Sequence, residues 1–290
     1  MITSLVVLIS LFFFSSCTNT AEEALEEQKS RLTVDFNTFQ VEVEGVSRNS
    51  SEESILSEAA ERLSFAIFDA EGNLVGDAIH QEYSDDDFGS VQMELYSGEY
   101  TLVALAHSGN DDATITSATS ATLPGTTLSD TFAKVQTLTV TSGEDCSLDM
   151  TLTRITSAFI LKLTDETLPD NLKEIKVVIN ASVGNNPTSL DVNPSTGLAL
   201  ANWRQEGVIP KANLSDDNLI YFIGMIKDAS VTVKATAYDT DNKKIVTRTL
   251  NNVSLKPNHK TVATGKFFVP PTSGNLGVDN TWGDDNNIEY

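Results

Sequence analysis

Tyr100-Thr-Leu-Val-Ala-Leu-Ala106, led in by Gly98, is apolar at nearly every position rather than at alternate ones. A strand turns successive side chains to opposite faces, so a strand this apolar must be covered above and below. The run therefore predicts a central strand of a layered, all-β protein. Before it, Leu63, Phe65 and Ile67 alternate with the period of a strand and stop at the turn Asp69-Ala-Glu-Gly72-Asn. Between them, Val91, Met93 and Leu95 alternate again after the loop Asp85-Asp-Asp87-Phe88-Gly89.

Further upstream, Leu32, Val34 and Phe36 alternate, as do Phe39, Val41 and Val43. Arg48 to Arg62 is a Ser/Glu-rich connection with a short helix expected around Ile55, Leu56, Ala59 and Ala60. Downstream, residues 108–130 read as a Ser/Thr/Gly/Asp loop. Val135–Val140 and Leu148–Leu152 read as a hairpin across Ser142-Gly-Glu-Asp145, and Thr151–Leu163 as one long strand or two. The second half repeats the plan. Ile175, Val177 and Ile179 alternate, followed by a polar stretch with Gly184-Asn-Asn-Pro187. Leu219–Ile226 is a second fully apolar run, expected to be central. Val231 to Ala237 alternate before Asp239-Thr-Asp-Asn242, and Val253–Leu255 with Thr261–Phe268 read as a closing hairpin over Pro257-Asn258. Many short strands and hardly any amphipathic helix predict two β-sandwich domains, 31–153 and 154–270, with 271–290 as a tail or last edge strand.

The first seventeen residues have a different character. Leu5–Phe14 is an apolar run too short to span the ~30 Å of a bilayer as a helix. Ser15-Ser16-Cys17 follows it, the order of a secretory signal cut so that cysteine becomes the first residue. No Lys or Arg precedes the run, so this reading rests on the apolar core and the Ser-Ser-Cys order. Residues 1–16 are then a signal peptide, Cys17 carries the lipid, and 17–30 form a polar, acidic tether. At ~0.8 kcal/mol per buried methylene, two or three acyl chains hold such a chain to a membrane firmly.

The chain has 19 Lys and Arg against 41 Asp and Glu, a net charge of −22. Such a surface repels nucleic acid and anionic lipid headgroups, which excludes both as partners. Once Cys17 is acylated, Cys146 stands alone, so no internal disulfide is available; it reads as a small buried filler. His80, His107 and His259 lie on separate segments without zinc spacing. Asp239-Thr-Asp241-Asn242 starts like a calcium loop, but Leu250 stands where the bidentate Glu belongs, so a hairpin turn is expected. Asp85–Asp87 and Asp111-Asp112 read as solvated loop charges. The residues give no catalytic set, no metal and no cofactor. Trp203 beside Arg204 is the one candidate glycan platform, which keeps open a glycan-binding lipoprotein of a polysaccharide-uptake system.

Three stretches carry a resemblance: Leu63-Ser-Phe-Ala-Ile-Phe-Asp69 with Gly72, Gly98-Glu-Tyr-Thr-Leu-Val-Ala-Leu-Ala-His107, and Pro257-Asn-His-Lys-Thr-Val-Ala-Thr-Gly-Lys-Phe267. With the lipoprotein start, they resemble the fimbrillin-type fimbrial anchor and minor-subunit lipoproteins of Bacteroidota, the family of type V pili. The resemblance implies two tandem transthyretin-like β-sandwiches, a surface-exposed outer-membrane position through acylated Cys17, and fimbrial shaft or minor subunits as partners. It implies adhesion to a host protein or glycan as the wider task, and joining by strand exchange. Stalk subunits of the family are trimmed after an Arg near the position of Lys29 and Arg31, whereas an anchor keeps its tether. Glu22 and Glu23 resemble the surface-export signals of that phylum.

Overall fold

The computed structural model describes residues 28–36, 39–40, 56–124, 129–179, 189–200, 204–214, 219–223, 230–269 and 286–289. Its first half carries β1 (Ser30–Asp35), β2 (Phe39–Gln40), the one-turn helix α1 (Leu56–Ala59), β3 (Arg62–Phe68), β4 (Ile79–Glu82), β5 (Ser90–Leu95) and β6 (Gly98–His107). Then follow β7 (Thr114–Ser117), β8 (Ser120–Pro124), β9 (Thr131–Val140), β10 (Cys146–Asp149) and β11 (Leu152–Arg154). The second half carries β12 (Thr156–Leu163), β13 (Leu172–Ile179), β14 (Ser189–Asn193), β15 (Leu198–Ala199), β16 (Gln205–Pro210) and β17 (Leu219–Ile223). The long hairpin β18 (Ser230–Asp239) and β19 (Lys244–Ser254) comes next, with β20 (Lys260–Gly265) and β21 (Asn286–Glu289) last. The protein is all-β.

The strand built on Tyr100–Ala106 is β6, at the centre of the sheet β2-β11-β9-β6-β3-β4. Its two faces serve two cores. Tyr100, Leu102, Ala104 and Ala106 point into one with Leu63, Phe65 and Ile67 of β3, and with Leu32 and Val34 of the facing sheet β10-β1-β5. Val103 and Leu105 point the other way, with Ala66 and Phe68. Leu102 to Ala106 are all fully buried. At ~1.5–3 kcal/mol for each large aliphatic side chain, uncovering either face would unmake the sheet.

What covers the second face departs from expectation. Residues 108–130 are not all loop: β7 and β8 lie there, with Ala113, Ile115, Ala121 and Leu123 buried. They form the sheet β15-β14-β8-β7, in which β8 comes from the first half and β14 from the second. Leu123 pairs with Leu190 and Ala121 with Val192, antiparallel. All four belong to the core that also holds Phe159, Leu161, Ile175 and Val233 of the second half. The buried interior of the second half thus continues across the shared sheet to the outer face of the first.

Both expected closing hairpins are corrected. After Ser142-Gly-Glu-Asp145 the chain crosses to the other sheet, where β10 runs parallel to β1; β11 then returns to pair with β9. After Pro257-Asn258 it crosses again, and β20 runs parallel to β12 rather than back along β19. Tight turns do not force a hairpin when the inward faces of the next strand fit another partner better. Thr151–Leu163 is two strands, β11 and β12, separated at Ile155. Among the described residues the second apolar run, β17, is not central: it sits at the end of the sheet β17-β12-β20-β21, bonded to β12. The corrections reveal a common plan. In each half the first strand (β1, β12) is flanked by one antiparallel strand (β5, β17) and one parallel strand (β10, β20). The facing sheet of each half holds three antiparallel neighbours, β3-β6-β9 or β13-β18-β19.

The halves also approach closely where a glycine faces Ile155. Gly197 closes the turn after Asn193 with φ +68°, its N–H donating to the Asn193 carbonyl at 2.8 Å. A Cβ there would lie 2.8 Å from Ile155 Cβ and 3.2 Å from Ile155 Cα, at the junction of β11 and β12. Gly72 has φ +84° but open space around it. Gly197→Ala should therefore lower unfolding free energy by about 2–3 kcal/mol and Gly72→Ala by about 1 kcal/mol, measured by urea titration. Equal costs would show that the backbone contact with Ile155 contributes nothing.

Candidate assembly surface

Both ends of the described chain are tied into sheets. At the N-terminal end, Ser30 Oγ donates to the Thr141 carbonyl at 2.7 Å, Ser142 Oγ to the Gln28 carbonyl at 3.2 Å, and the Arg31 N–H to Asp145 Oδ1 at 3.0 Å. Lys29 Nζ lies 5.2 Å from the centre of the exposed Tyr96 ring. At the other end, Asp165 accepts the N–H groups of Phe267 and Phe268. Arg248 donates to the carbonyls of Phe267 and Val269, so two side chains set the path on which the chain leaves β20. Residues 286–289 then dock as β21 along the outer edge of β20, parallel, with Ala263 opposite Ile288.

Between the halves, the Arg154 guanidinium grips Asp130 through Nε (2.8 and 3.1 Å) and Nη2 (2.9 Å). Thr156 Oγ1 donates to the same carboxylate at 2.9 Å, and Arg154 also stacks 5.0 Å from the Phe132 ring centre. The half-buried, two-pronged geometry is the strong form of this pair. It fastens the start of β9 to the link between β11 and β12, beside Ile155 and Gly197.

The candidate reactive groups are not brought together. His80 Nδ1 is 2.9 Å from Ser64 Oγ on one sheet edge, and His259 Nδ1 is 2.8 Å from the Pro257 carbonyl in a turn far along the chain. Among the described residues no three His, Cys, Asp or Glu side chains gather as a metal would require. Asp239-Thr-Asp-Asn242 is the β18–β19 turn: Asp239 Oδ1 accepts from the N–H groups of Asp241 and Lys243, and Asn242 has φ 60°. Asp85 accepts the Glu82 N–H within its own loop, while Asp112 lies 3.5 Å from Arg62. Cys146 is a free thiol, but half-buried on β10 rather than fully enclosed, because β10 stands at a sheet end. Cys17, Glu22, Glu23, Trp203, the Gly184–Pro187 stretch and tail residues 270–285 lie outside the described residues.

His107 is the group that sequence reasoning undervalued. It ends β6 on the face shared with Val103 and Leu105, only 3% exposed. The Gly109 N–H donates to its Nδ1 at 3.0 Å, which places the proton of the neutral ring on Nε2. Nε2 is buried and has no hydrogen-bond partner among the described residues. Burial pushes its pKa below the ordinary histidine value; Asp112 opposes this, Arg62 adds to it, and Asp111 opposes it.

The described part of the chain thus begins in β1, the middle strand of its sheet, and ends in β21 at the edge of another. The family model for the fimbrillin-A associated anchor proteins Mfa1 and Mfa2 matches residues 25–179, a little over half of the chain. The chain belongs to this family of fimbrial anchor proteins. No curated protein matches it. Among solved structures, it is similar to the fimbrial anchor protein Mfa2 from Porphyromonas gingivalis at 14% identity, covering 76% of this chain and 82% of that one, with a TM-score of 0.45. A fimbrial assembly protein from Parabacteroides distasonis is 11% identical over 82% of this chain and 90% of that one, with a TM-score of 0.45. A candidate adhesin from Bacteroides ovatus is 9% identical over 76% of each chain, with a TM-score of 0.48.

The state of His107 gives a pH test. As pH falls through about 6.5 the unfolded chain protonates this histidine, while the folded chain resists until lower pH. The unfolded state then binds more protons, so stability is present above about pH 6.5 and is lost as pH falls through the depressed folded value. His107→Gln keeps an acceptor for Gly109 and removes the titration. Its urea-unfolding free energy should vary less between pH 6.5 and 5 than that of the parent; identical slopes would contradict the buried, neutral histidine.

Proposed function

We propose that this chain is a lipid-anchored cell-surface fimbrial anchor or minor subunit, held to the outer membrane by acylated Cys17 and joined to other fimbrial subunits by main-chain strand pairing. Family membership carries the fimbrial part of this reading. The fold supports the rest. In this reading two transthyretin-like sandwiches, divided near Arg154, stand behind the tether; the described chain enters the fold at Gln28 beside the β9–β10 turn. A strand edge offers a row of backbone donors and acceptors, so it can hold a partner strand without any convergent pocket. No catalysis is assigned.

An uncut tether agrees with the local structure. Arg31 lies inside β1 and pairs with Glu94 of β5, while β10 flanks β1 on the other side. A protease takes its substrate as a free extended segment, so cleavage after Arg31 would first require opening this sheet. The shared sheet and the Arg154–Asp130 clasp suit a part that transmits load between a membrane and a filament.

The test is intact mass and detergent partitioning of the native protein beside Cys17→Ala. The parent should carry the mass of two or three acyl chains on Cys17, enter the detergent phase and co-purify with fimbrial subunits. Cys17→Ala should stay in the aqueous phase with its fold unchanged. A parent protein without acyl mass would end the anchor reading.

A further inference from the structure

We infer that the outer edge of β10 is an acceptor for an extended segment of another fimbrial subunit, added parallel to β10, apolar at every second residue and basic between. This rests on the fimbrial reading above and adds the place and the chemistry of the contact. The two halves share one plan around their first strands. β10 stands to β1 as β20 stands to β12: each is parallel to the first strand of its half, on the side away from the antiparallel strand. In the second half the far edge of β20 is filled by β21, also parallel. In the first half β10 has one strand partner among the described residues, β1.

Burial marks the difference. On β20, Thr261 and Ala263, which pair with Phe159 and Leu161, are 1% and 0% exposed. Their counterparts on β10 are Cys146 and Leu148, which pair with Leu32 and Val34. Those two pack against the core of the first half but are only partly buried, although Leu32 and Val34 beside them are closed. An inward row left partly open at a sheet end is what one missing strand produces. At the opposite end of the same sheet the inward row is more closed: Val91 and Leu95 of β5 are 3% and 1% exposed, Met93 between them is partly buried, and Gln81 Nε2 donates to the Ser90 carbonyl at 2.8 Å.

Charge chooses the occupant. The outward residues of β10 are Ser147 and Asp149, both exposed, and Glu144 and Asp145 stand in the turn before them. A strand laid along this edge meets carboxylates on its outward face, and like charges opposite one another destabilise a sheet pair. A second copy of this chain offering Asn286-Asn-Ile-Glu289 would bring another carboxylate. A segment with Lys or Arg outward and small aliphatic residues inward satisfies both faces.

Full-length protein, with Cys17 retained and expressed in fimbriated cells of its own host, carries the photoreactive substitution Ser147→p-benzoylphenylalanine on β10. Parallel variants place the same group at Gln92, on β5, and at Val262, on β20 beside Asn287. The inference predicts that irradiated Ser147→p-benzoylphenylalanine shifts to the mass of chain plus one fimbrial subunit, with the adduct in an alternating apolar and basic segment. The Gln92 variant should not shift, and the Val262 variant should join its own residues 286–289. A fimbrial subunit captured at Gln92 and not at Ser147 overturns the edge assignment while leaving the fimbrial reading standing. A Ser147 adduct within residues 18–27 or 286–289, of the same chain or a second copy, overturns it because the chain fills its own edge. No fimbrial adduct at any position, and none co-purifying, sinks both readings.

Discussion

A strand that is apolar on both faces leaves a protein little freedom, and β6 sets the terms for this one. Leu102, Ala104 and Ala106 need a layer on one side; Val103 and Leu105 need a layer on the other. The first layer comes from the three-stranded sheet of the same half. The second is built jointly, because β7 and β8 alone form a hairpin too small to be stable by itself. Pairing β8 with β14 completes that layer and, in doing so, makes the second half part of the first half's packing. The two halves are joined by a sheet rather than by a linker.

The polar contacts follow from that joint. Where the chain passes from β11 to β12, Arg154, the last residue of β11, holds Asp130 ahead of β9, and Thr156 Oγ1 at the start of β12 donates to the same carboxylate. One carboxylate thus ties the start of the second half to the first. Gly197 brings the β14–β15 turn into backbone contact with the same passage, which only a residue without a Cβ can do. His107 closes the interior at the end of β6 and is kept neutral by its burial. A fimbrial anchor transmits force along the chain. A joint of paired strands resists that force through many hydrogen bonds loaded together, where a flexible linker would not.

Much of this was legible in the residues. The alternation of Leu63, Phe65 and Ile67, the all-apolar run to Ala106 and the turn at Gly72 predict β3, β6 and their order directly. Strand partners were harder. Period-two alternation states which face is buried and says nothing about which neighbour lies alongside, so the turns at Gly143 and Asn258 passed for hairpins while the chain crossed between sheets. The 108–130 segment looked like loop because Thr and Ser fill its outward positions. Its inward row, Ala113, Ile115, Ala121 and Leu123, carried the signal in small side chains. Cys146 read as a closed filler because nothing in its neighbours shows that β10 ends a sheet. β17 read as central because its composition is apolar, though it ends its sheet too.

The shared sheet makes one mechanical unit of the two halves, and native-state hydrogen exchange across a urea series measures this. Amides of β8 and β14 should open together with those of β6 and β18, with one free energy and one urea dependence. Opening of residues 156–269 at lower urea, with β6 still protected and β8 exchanging independently, would contradict it.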